Sequence, residues 1–209
     1  SLGAFVEAMH DKWPEVDLLV NNAGNGVFNR FEHFEPEQIG EQLRVLLHGP
    51  IALCHAALPA FLARGSGTLV NVASLAREFP LPFFSLYNTA KAGLSNFSRS
   101  LQLELKDTEV KVIDFQPGDY RTRFNAEAAR PEELDLDPTL AQAWQSLEHH
   151  LKMAPLPEKA ARDLRRALAR GANGPVASGD FFQAVMAEPL RRLVPWNAVL
   201  WGIRRYYRL

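Results

Sequence analysis

The segment DLLVNNAG, residues 17–24, begins as a short apolar run and then turns abruptly small and polar. This pattern is typical of a buried parallel strand whose end opens onto a crevice. Two later segments, 68–72 and 110–115, have the same apolar character. Helical periodicity between the strands predicts one long helix over about 36–63 and a second over about 85–105. The alternation of strands and helices therefore predicts an α/β fold with a parallel sheet.

Ligands of such sheets bind beyond the carboxyl ends of the strands. Polar clusters follow three predicted strands, at residues 21–24, at Ser74 and at residues 117–122. The intervening helix adds Tyr87 and Lys91, which lie four residues apart and so share one helix face. A free phenol has a pKa of about 10, and a nearby ammonium group stabilises its anion. We therefore interpret Ser74, Tyr87 and Lys91 as a candidate catalytic group.

Composition and charge narrow the class of protein. The 209 residues are 47% hydrophobic, which favours a single domain with one sizeable core. A formal net charge of −1 argues against nucleic acid as the main partner. The only cysteine, Cys54, lies in an apolar stretch, so we expect a packed, reduced thiol. We expect no membrane-spanning segment and no signal peptide in residues 1–10, which makes a cytoplasmic location the default.

Together these motifs resemble the short-chain dehydrogenase/reductase family. They comprise the Asn-Asn-Ala-Gly strand end, a serine thirteen residues before the tyrosine of a Tyr-x-x-x-Lys motif, and a Pro-Gly pair followed by Thr122. The resemblance extends from residue 1 to about Phe124. It implies a Rossmann-like, doubly wound parallel sheet and NAD or NADP as cofactor. It also implies hydride transfer between that cofactor and an alcohol or ketone.

The resemblance assigns a role to each candidate residue. Tyr87 would be the general acid in ketone reduction and the base in alcohol oxidation, Lys91 would lower its pKa and hold the nicotinamide ribose, and Ser74 would orient the carbonyl group. Besides Tyr87 and Lys91, the cofactor would contact residues after the first and third predicted strands: Asn22, Ala23, Gly24, Pro117, Gly118, Tyr120 and Thr122. No metal site is expected, because the adjacent His149 and His150 point apart on a helix.

Two features depart from the family pattern. The glycine-rich turn that should cradle the cofactor pyrophosphate is absent, so we expect a domain that lacks its first βαβ elements and is N-terminally incomplete. Leu46 stands where the family often has an asparagine that helps to hold a proton-relaying water. His48 is the nearby substitute, although a lone histidine in an apolar helix is more often structural.

Residues 1–209 are predicted to form one incomplete Rossmann-like domain. It divides into a core (1–124), a substrate lid region (125–157), and a C-terminal helix with a basic aromatic tail (158–209). In the lid region, four apolar residues share a helix face that suits either a bulky apolar substrate or ordinary core packing: Leu140, Trp144, Leu147 and Leu151. The tail from 189 to 209 combines arginines with tryptophans and tyrosines and contains no acid. It suits peripheral contact with an anionic bilayer or a subunit interface, and related enzymes commonly form homodimers or homotetramers.

The leading hypothesis is an NAD(P)-dependent oxidoreductase that interconverts an alcohol and a ketone on an apolar small molecule. Tyr87, Lys91 and Ser74 would carry the chemistry. The alternative is a catalytically weak or silent relative that acts as a lipid- or protein-binding module. Leu46 and the absent phosphate loop motivate this alternative, and they leave the activity of the 209-residue chain by itself open.

Overall fold

The computed structural model describes residues 16–122, 124, 128–131 and 134–209. Within these residues one sheet contains four parallel strands in the order β1-β2-β3-β4: β1 Leu18–Asn21, β2 Gly67–Val72, β3 Val110–Pro117 and β4 Gly174–Ser178. Leu19 pairs with Leu69, which in turn pairs with Val112. The parallel sheet confirms the predicted Rossmann-like α/β class. Helical spacing of apolar residues also predicts a helix over residues 1–13, which lie outside the described residues.

Seven α-helices lie in the described part of the chain: α1 Pro36–Leu43, α2 Gly49–Arg64, α3 Ser85–Glu104, α4 Pro138–Met153, α5 Pro157–Ala169, α6 Ala187–Leu193 and α7 Trp196–Tyr207. A π-helical turn, Arg44–His48, joins α1 to α2, and a second, Phe182–Met186, leads into α6. The predicted helix over 36–63 is therefore one continuous helical unit with a π turn in its middle. Such turns frequently occur at functional sites.

Local sequence sets where these helices begin and end. α2 stops at Gly65, whose φ of 69° is in the left-handed region that glycine adopts without strain. α4 starts at Asp137, whose carboxylate accepts hydrogen bonds from the backbone N–H groups of Thr139 and Leu140. Arg30 also pairs with Asp137, and this hydrogen bond lowers the pKa of the Asp137 carboxyl to about 2. The loop after β1 is thereby tied to the start of α4.

Helices cover both faces of the sheet, as the doubly wound class requires. Alternate residues of a strand point to opposite faces. Leu69 and Val112 pack against α2 and α3 on one side, where Phe61 is the largest buried side chain. Val70 and Ile113 pack on the other side against α5. The helices hold the strand ends rigidly, and the candidate site lies at those ends.

Strand β4 was missed by the sequence analysis, which predicted no strand after residue 115. Its sequence, GPVAS, begins with glycine and proline, and both are depleted in strands. Proline is tolerated here because β4 is an edge strand that pairs only with β3 in the described sheet. The C-terminal third therefore contributes a strand to the sheet as well as the predicted helices.

One helical unit in the described part of the chain is long and apolar enough to cross a membrane by length and composition, whereas the sequence analysis expected no such segment. The helical unit Pro36–Arg64 is 29 residues long and has a mean hydropathy of 1.7 in one 18-residue window. Isolated polar residues interrupt its apolar run without lowering the average much. Length and composition alone are weak evidence for a membrane span, and Cys54, Ala57 and Phe61 of this unit pack in the core against the sheet.

Candidate active site

The three predicted catalytic side chains line one cavity of about 1040 Å³ at the carboxyl ends of the strands. Ser74 follows β2, while Tyr87 and Lys91 lie in the first two turns of α3. Ser74 and Lys91 are buried, and Tyr87 is half-buried. The structure therefore brings the predicted hydroxyl, phenol and ammonium groups together.

Ser74 is fixed by the turn that follows β2. Its Oγ accepts a hydrogen bond from the backbone N–H of Ala76 at 3.1 Å and so caps a short 3₁₀ turn. The same Oγ lies 3.5 Å from the carbonyl oxygen of Pro117 at the end of β3. The Ser74 side chain also acts on the phenol of Tyr87, whose pKa it tends to lower. These contacts hold the hydroxyl between two strand ends and against the phenol.

Lys91 is anchored to the end of β2. Its Nζ donates to the carbonyl oxygen of Val72 at 2.6 Å and lies 5.7 Å from the centroid of the Tyr87 ring. Burial lowers the pKa of the Lys91 ammonium to about 8, so the group is still mostly protonated at neutral pH. An ammonium group has three N–H donors. Lys91 can therefore bind a ligand hydroxyl while it keeps its contact with Val72.

The Tyr87 phenol is protonated at neutral pH. Burial raises its pKa, the Ser74 side chain opposes that rise, and the negative charge of Asp119 adds to it. Burial dominates, so the net shift is upward, against the downward shift that the sequence analysis expected from Lys91. The ring packs edge-on against Phe84 and Phe124, with centroids 6.0 and 5.4 Å away. The phenol is thus held in an apolar surrounding.

Most of the predicted cofactor-binding residues line the same cavity. They are Asn22, Gly24, Pro117, Gly118, Tyr120 and Thr122. Ala23 lies exposed between Asn22 and Gly24 but is not part of the cavity lining. Gly24 has a φ of 147°, a conformation that favours glycine, and a side chain at this position would collide with Leu46. The backbone after β1 therefore follows a path that few other residues would allow.

The side chain of Tyr120 makes a structural contact. Its hydroxyl and that of Ser178 in β4 are hydrogen-bonded at 2.5 Å, and Ser178 Oγ donates to Asp163 of α5 at 2.8 Å. Lys159 donates to the same Asp163 carboxylate at 2.6 Å. This chain of contacts ties the loop after β3 to β4 and α5. Any contact of Tyr120 with a cofactor would therefore involve its backbone.

Buried amides fix the ends of β1 and β2 relative to α3. Asn21 Nδ2 donates to Asn71 Oδ1 at 2.8 Å, and Asn71 Nδ2 donates to Ser98 Oγ at 2.9 Å. All three residues are buried, and buried polar groups stabilise a structure when they find partners of this kind. Asn21, the first residue of the predicted polar cluster, therefore has a scaffold role, while Asn22 and Gly24 border the cavity.

Leu46 and His48 show how the π turn differs from the family pattern. Leu46 is buried and packs against Gly24 with purely apolar atoms. His48 is exposed and lines a separate pocket on the outer side of the helix, with Gly40 and Ile51 among its neighbours. His48 therefore does not replace the expected asparagine beside Lys91.

The predicted apolar stripe of α4 serves core and cavity together. Leu140, Trp144 and Leu147 are buried in a cluster with Phe28 and other aromatic residues. Leu147 also lines the cavity, as does the partly buried Leu151. The sequence left open whether this stripe packs in the core or faces an apolar substrate. In the structure, part of the stripe packs in the core and part lines the cavity.

A contact between Asp119 and Gln183 was not predicted. Gln183 Nε2 donates to Asp119 Oδ2 at 2.8 Å, and the backbone N–H of Asp119 donates to Gln183 Oε1 at 3.1 Å. Burial raises the pKa of the Asp119 carboxyl, and the hydrogen bond from Gln183 opposes that rise. Asp119 follows the Pro-Gly pair and could have been noticed there. Gln183, 64 residues further on, has no local sequence signal.

Comparison with known proteins identifies the family of the chain. The family model described as short chain dehydrogenase matches residues 1–133, which is more than half of the chain. The chain therefore belongs to the short-chain dehydrogenase family. Proteins of this family with assigned activities include named reductases and dehydrogenases, and the protein is accordingly an oxidoreductase.

Individual relatives cover most of the chain at low identity. A 3-ketodihydrosphingosine reductase from Bacteroides thetaiotaomicron is 24% identical over 98% of this chain and 77% of its own length. The structure of a short-chain dehydrogenase from Streptomyces avermitilis superposes with a TM-score of 0.76 at 26% identity, covering 99% of this chain and 75% of that one. A metagenomic short-chain oxidoreductase solved with NADP has a TM-score of 0.52 at 29% identity, covering 56% and 53%.

Proposed function

We propose that this protein is an NAD(P)-dependent oxidoreductase that interconverts an alcohol and a ketone on an apolar substrate. The observation that carries the proposal is that Ser74, Tyr87 and Lys91 line a single cavity, where Lys91 Nζ lies 5.7 Å from the centroid of the Tyr87 ring. A protonated phenol, a second hydroxyl and an anchored ammonium are the groups needed to protonate a carbonyl oxygen and to orient it.

In ketone reduction Tyr87 donates its proton to the carbonyl oxygen, and Ser74 donates a hydrogen bond to the same oxygen. The raised pKa of Tyr87 keeps the phenol protonated at neutral pH, which is the state that reduction requires. General acid catalysis of this kind typically contributes about 10²- to 10⁴-fold in rate. Positioning of the substrate against the hydride donor supplies much of the remainder.

The residues around the cavity fit a nicotinamide dinucleotide. Lys91 offers N–H donors for the hydroxyls of a ribose, and Gly24 and Gly118 border the cavity with no side chain of their own. Asn22, Ala23, Pro117, Tyr120 and Thr122 would complete the contacts. When bound, NAD or NADP supplies the hydride, and the NADP in the metagenomic relative supports this choice of cofactor.

An apolar substrate suits the remaining wall of the cavity. Three C-terminal helices and the linker between α6 and α7 supply its apolar side chains: Leu151, Leu164, Val194, Val199 and Ile203. The Bacteroides relative is named for the reduction of 3-ketodihydrosphingosine, which carries a long alkyl chain. These facts support ketones with long alkyl chains as the first substrates to test.

Partners and location form part of the same proposal. We place the protein in the cytoplasm as a homodimer or homotetramer, with no nucleic-acid partner. The segment 189–209 would serve either peripheral membrane contact or subunit contact, since it contains arginines and aromatic residues and no acid.

The test uses purified full-length protein with NADH or NADPH and a series of ketones of increasing alkyl length. We expect consumption of the reduced nicotinamide, with kcat/KM rising along the series. Ser74→Ala should lower kcat roughly 10²-fold. Ser66→Ala, a change at an exposed serine in the loop before β2, is the matched control and should leave kcat unchanged.

The rival function is a catalytically silent relative that binds lipid or protein. The observation that favours it is Leu46, whose apolar side chain cannot hold a relay water. If folded protein binds the reduced nicotinamide yet turns over no ketone of the series in either direction, the rival replaces the enzyme proposal.

A further inference from the structure

The helical segment of residues 181–193 presents large apolar side chains to solvent. It consists of Phe181, the π turn Phe182–Met186 and α6. The exposed side chains, with their exposed fractions, are Phe181 75%, Phe182 53%, Val185 52%, Met186 44%, Leu190 41% and Leu193 82%. Soluble monomers rarely expose so many large apolar residues in one place, and such patches mark interaction sites.

These residues form a stripe along the segment. Phe182, Met186, Leu190 and Leu193 follow one another at intervals of three or four residues, which places them on one helix face. In the described part of the chain, between 41% and 82% of each of these four side chains is exposed. An amphipathic helix with an uncovered apolar face is the form that lies in the interface of a lipid bilayer.

Two polar side chains of the segment bind it to the active-site loops. Gln183 makes its two hydrogen bonds with Asp119, in the loop after β3. Arg191 lies 3.9 Å from the carboxylate of Glu78, in the turn after Ser74, and its guanidinium lies over the ring of Trp196. The segment is therefore an anchored wall of the cavity, so its exposed stripe has a defined orientation.

The helix that follows adds positive charge and aromatic rings. On α7, Trp201 is 68% exposed, and the exposed Arg204, Arg205 and Arg208 follow it at helical spacing. Trp196 at the start of α7 is also exposed. The chain from 189 to 209 contains no acid. Arginine next to tryptophan is typical of segments that meet lipid phosphates at the bilayer surface.

Charge favours an anionic lipid bilayer over a second copy of the chain as the partner of this surface. A second copy of the chain related by a two-fold axis would bring the same arginines near each other and so oppose contact. An anionic bilayer would attract them while it accepts the apolar stripe.

We propose that the 181–193 segment, together with the arginines and tryptophans of α7, docks on the surface of an anionic lipid bilayer. Phe182, Leu190 and Ala198 are exposed and also line the cavity, so they form part of its rim. Docking therefore sets the rim of the cavity against the lipid and admits an apolar substrate directly from the bilayer. Only this last step, the supply of substrate, rests on the proposed function.

Vesicle sedimentation with the full-length protein tests the surface. The probes are vesicles of phosphatidylcholine alone and vesicles of phosphatidylcholine with phosphatidylglycerol. We expect sedimentation with the anionic vesicles, weakened by salt, and much less with the neutral ones. Leu193→Asp should lower the partition coefficient roughly tenfold, because it places a charge in the docking stripe. Arg204→Glu with Arg205→Glu should have a similar effect.

Leu103→Asp is the matched control, since Leu103 is 74% exposed on α3, outside the proposed surface. It should bind vesicles as the unchanged protein does. Equal binding by Leu193→Asp and Leu103→Asp would overturn the proposal. So would the absence of binding by protein that circular dichroism shows to be folded. An oligomer that Leu193→Asp dissociates, without vesicle binding, would identify the stripe as a subunit interface instead.

Failure of this proposal and failure of the enzymatic one are distinguishable. Docking uses no catalytic residue, so Tyr87→Phe should sediment with anionic vesicles as the unchanged protein does. A protein that turns over ketones but binds no vesicles retains its proposed function and loses only the membrane surface.

Discussion

Lys91 Nζ lies 5.7 Å from the centroid of the Tyr87 ring and 2.6 Å from the carbonyl oxygen of Val72. One turn of helix sets the first distance, and the end of β2 sets the second. The ammonium is therefore positioned by the sheet as well as by its own helix. Because this position exists only in the folded protein, measurements of the free energy of unfolding test it, as do measurements of activity.

The buried Lys91 makes stability depend on pH in a predictable direction. Its pKa is lowered from 10.5 to about 8 by burial. Between these pH values the unfolded chain binds more protons than the folded protein, so this group raises the free energy of unfolding as pH rises. At about 1.4 kcal/mol per pKa unit, the gain across the window is about 3 kcal/mol.

Urea unfolding of the protein and of Lys91→Met, at several pH values in this window, measures the effect. The difference in unfolding free energy between the two should shift in favour of the protein with lysine as pH rises. A difference that stays constant through the window would show that Lys91 is not buried as the structure has it.

The close approach of Leu46 to Gly24 predicts an energetic coupling. Gly24→Ala places a methyl group against Leu46 at a φ of 147°, and we expect it to lower the unfolding free energy by about 1–3 kcal/mol. Leu46→Ala removes the steric part of that cost. In a double-mutant cycle the combined loss should fall short of the sum by about 1 kcal/mol.

Gly65→Ala is the control for this cycle. Gly65 also has a positive φ, but nothing lies within 4 Å of a Cβ built there. Its loss of stability should be additive with that of Leu46→Ala. If the stability losses of Gly24→Ala and Leu46→Ala also prove additive, the methyl group at position 24 does not contact Leu46.

The sequence predicted those parts of the fold that have a local signal. Three strands were apolar runs that ended in small polar residues, and Ser74 follows the second of them. Tyr87 and Lys91 lie in a helix that the apolar spacing also predicted. Strand β4 escaped prediction because Gly174 and Pro175 hide its extended character. Its place is determined by pairing with β3, which a single-sequence pattern does not contain.

Contacts between distant segments were also beyond prediction. Asp119 and Gln183 meet only because β3 and β4 pair and bring the loops after them together. The exposed stripe of 181–193 begins before the tail that the composition indicated. Its exposure depends on how the segment packs on the rest of the fold, which residue spacing alone does not determine.

Cys54 should be unreactive in the folded protein. It is 1% exposed, and burial raises the pKa of its thiol to about 11, so the nucleophilic thiolate is scarce at neutral pH. We expect an aromatic disulfide reagent to label it only as urea unfolds the protein. Rapid stoichiometric labelling without denaturant would contradict its packing against Asn21 and Asn71.

Replacing Tyr120 tests whether its hydroxyl stabilises the fold or binds the cofactor. Tyr120→Phe removes the hydrogen bond to Ser178 and should lower the unfolding free energy by about 1 kcal/mol. The dissociation constant of the reduced nicotinamide, measured by fluorescence titration, should not change. Ser178→Ala should lower the unfolding free energy further, because it also removes the hydrogen bond to Asp163. Weaker cofactor binding with unchanged stability would instead assign the Tyr120 hydroxyl to the cofactor.

The central claim is that the Tyr87 hydroxyl is the proton donor. Tyr87→Phe removes this one group and keeps the ring that packs against Phe84 and Phe124, so the fold should survive. The decisive measurement is kcat for ketone reduction by the full-length protein and by Tyr87→Phe, alongside their nicotinamide dissociation constants. We predict a fall in kcat of about 10²- to 10⁴-fold with little change in cofactor affinity. A Tyr87→Phe protein that reduces ketones as fast as the unchanged protein would contradict the account.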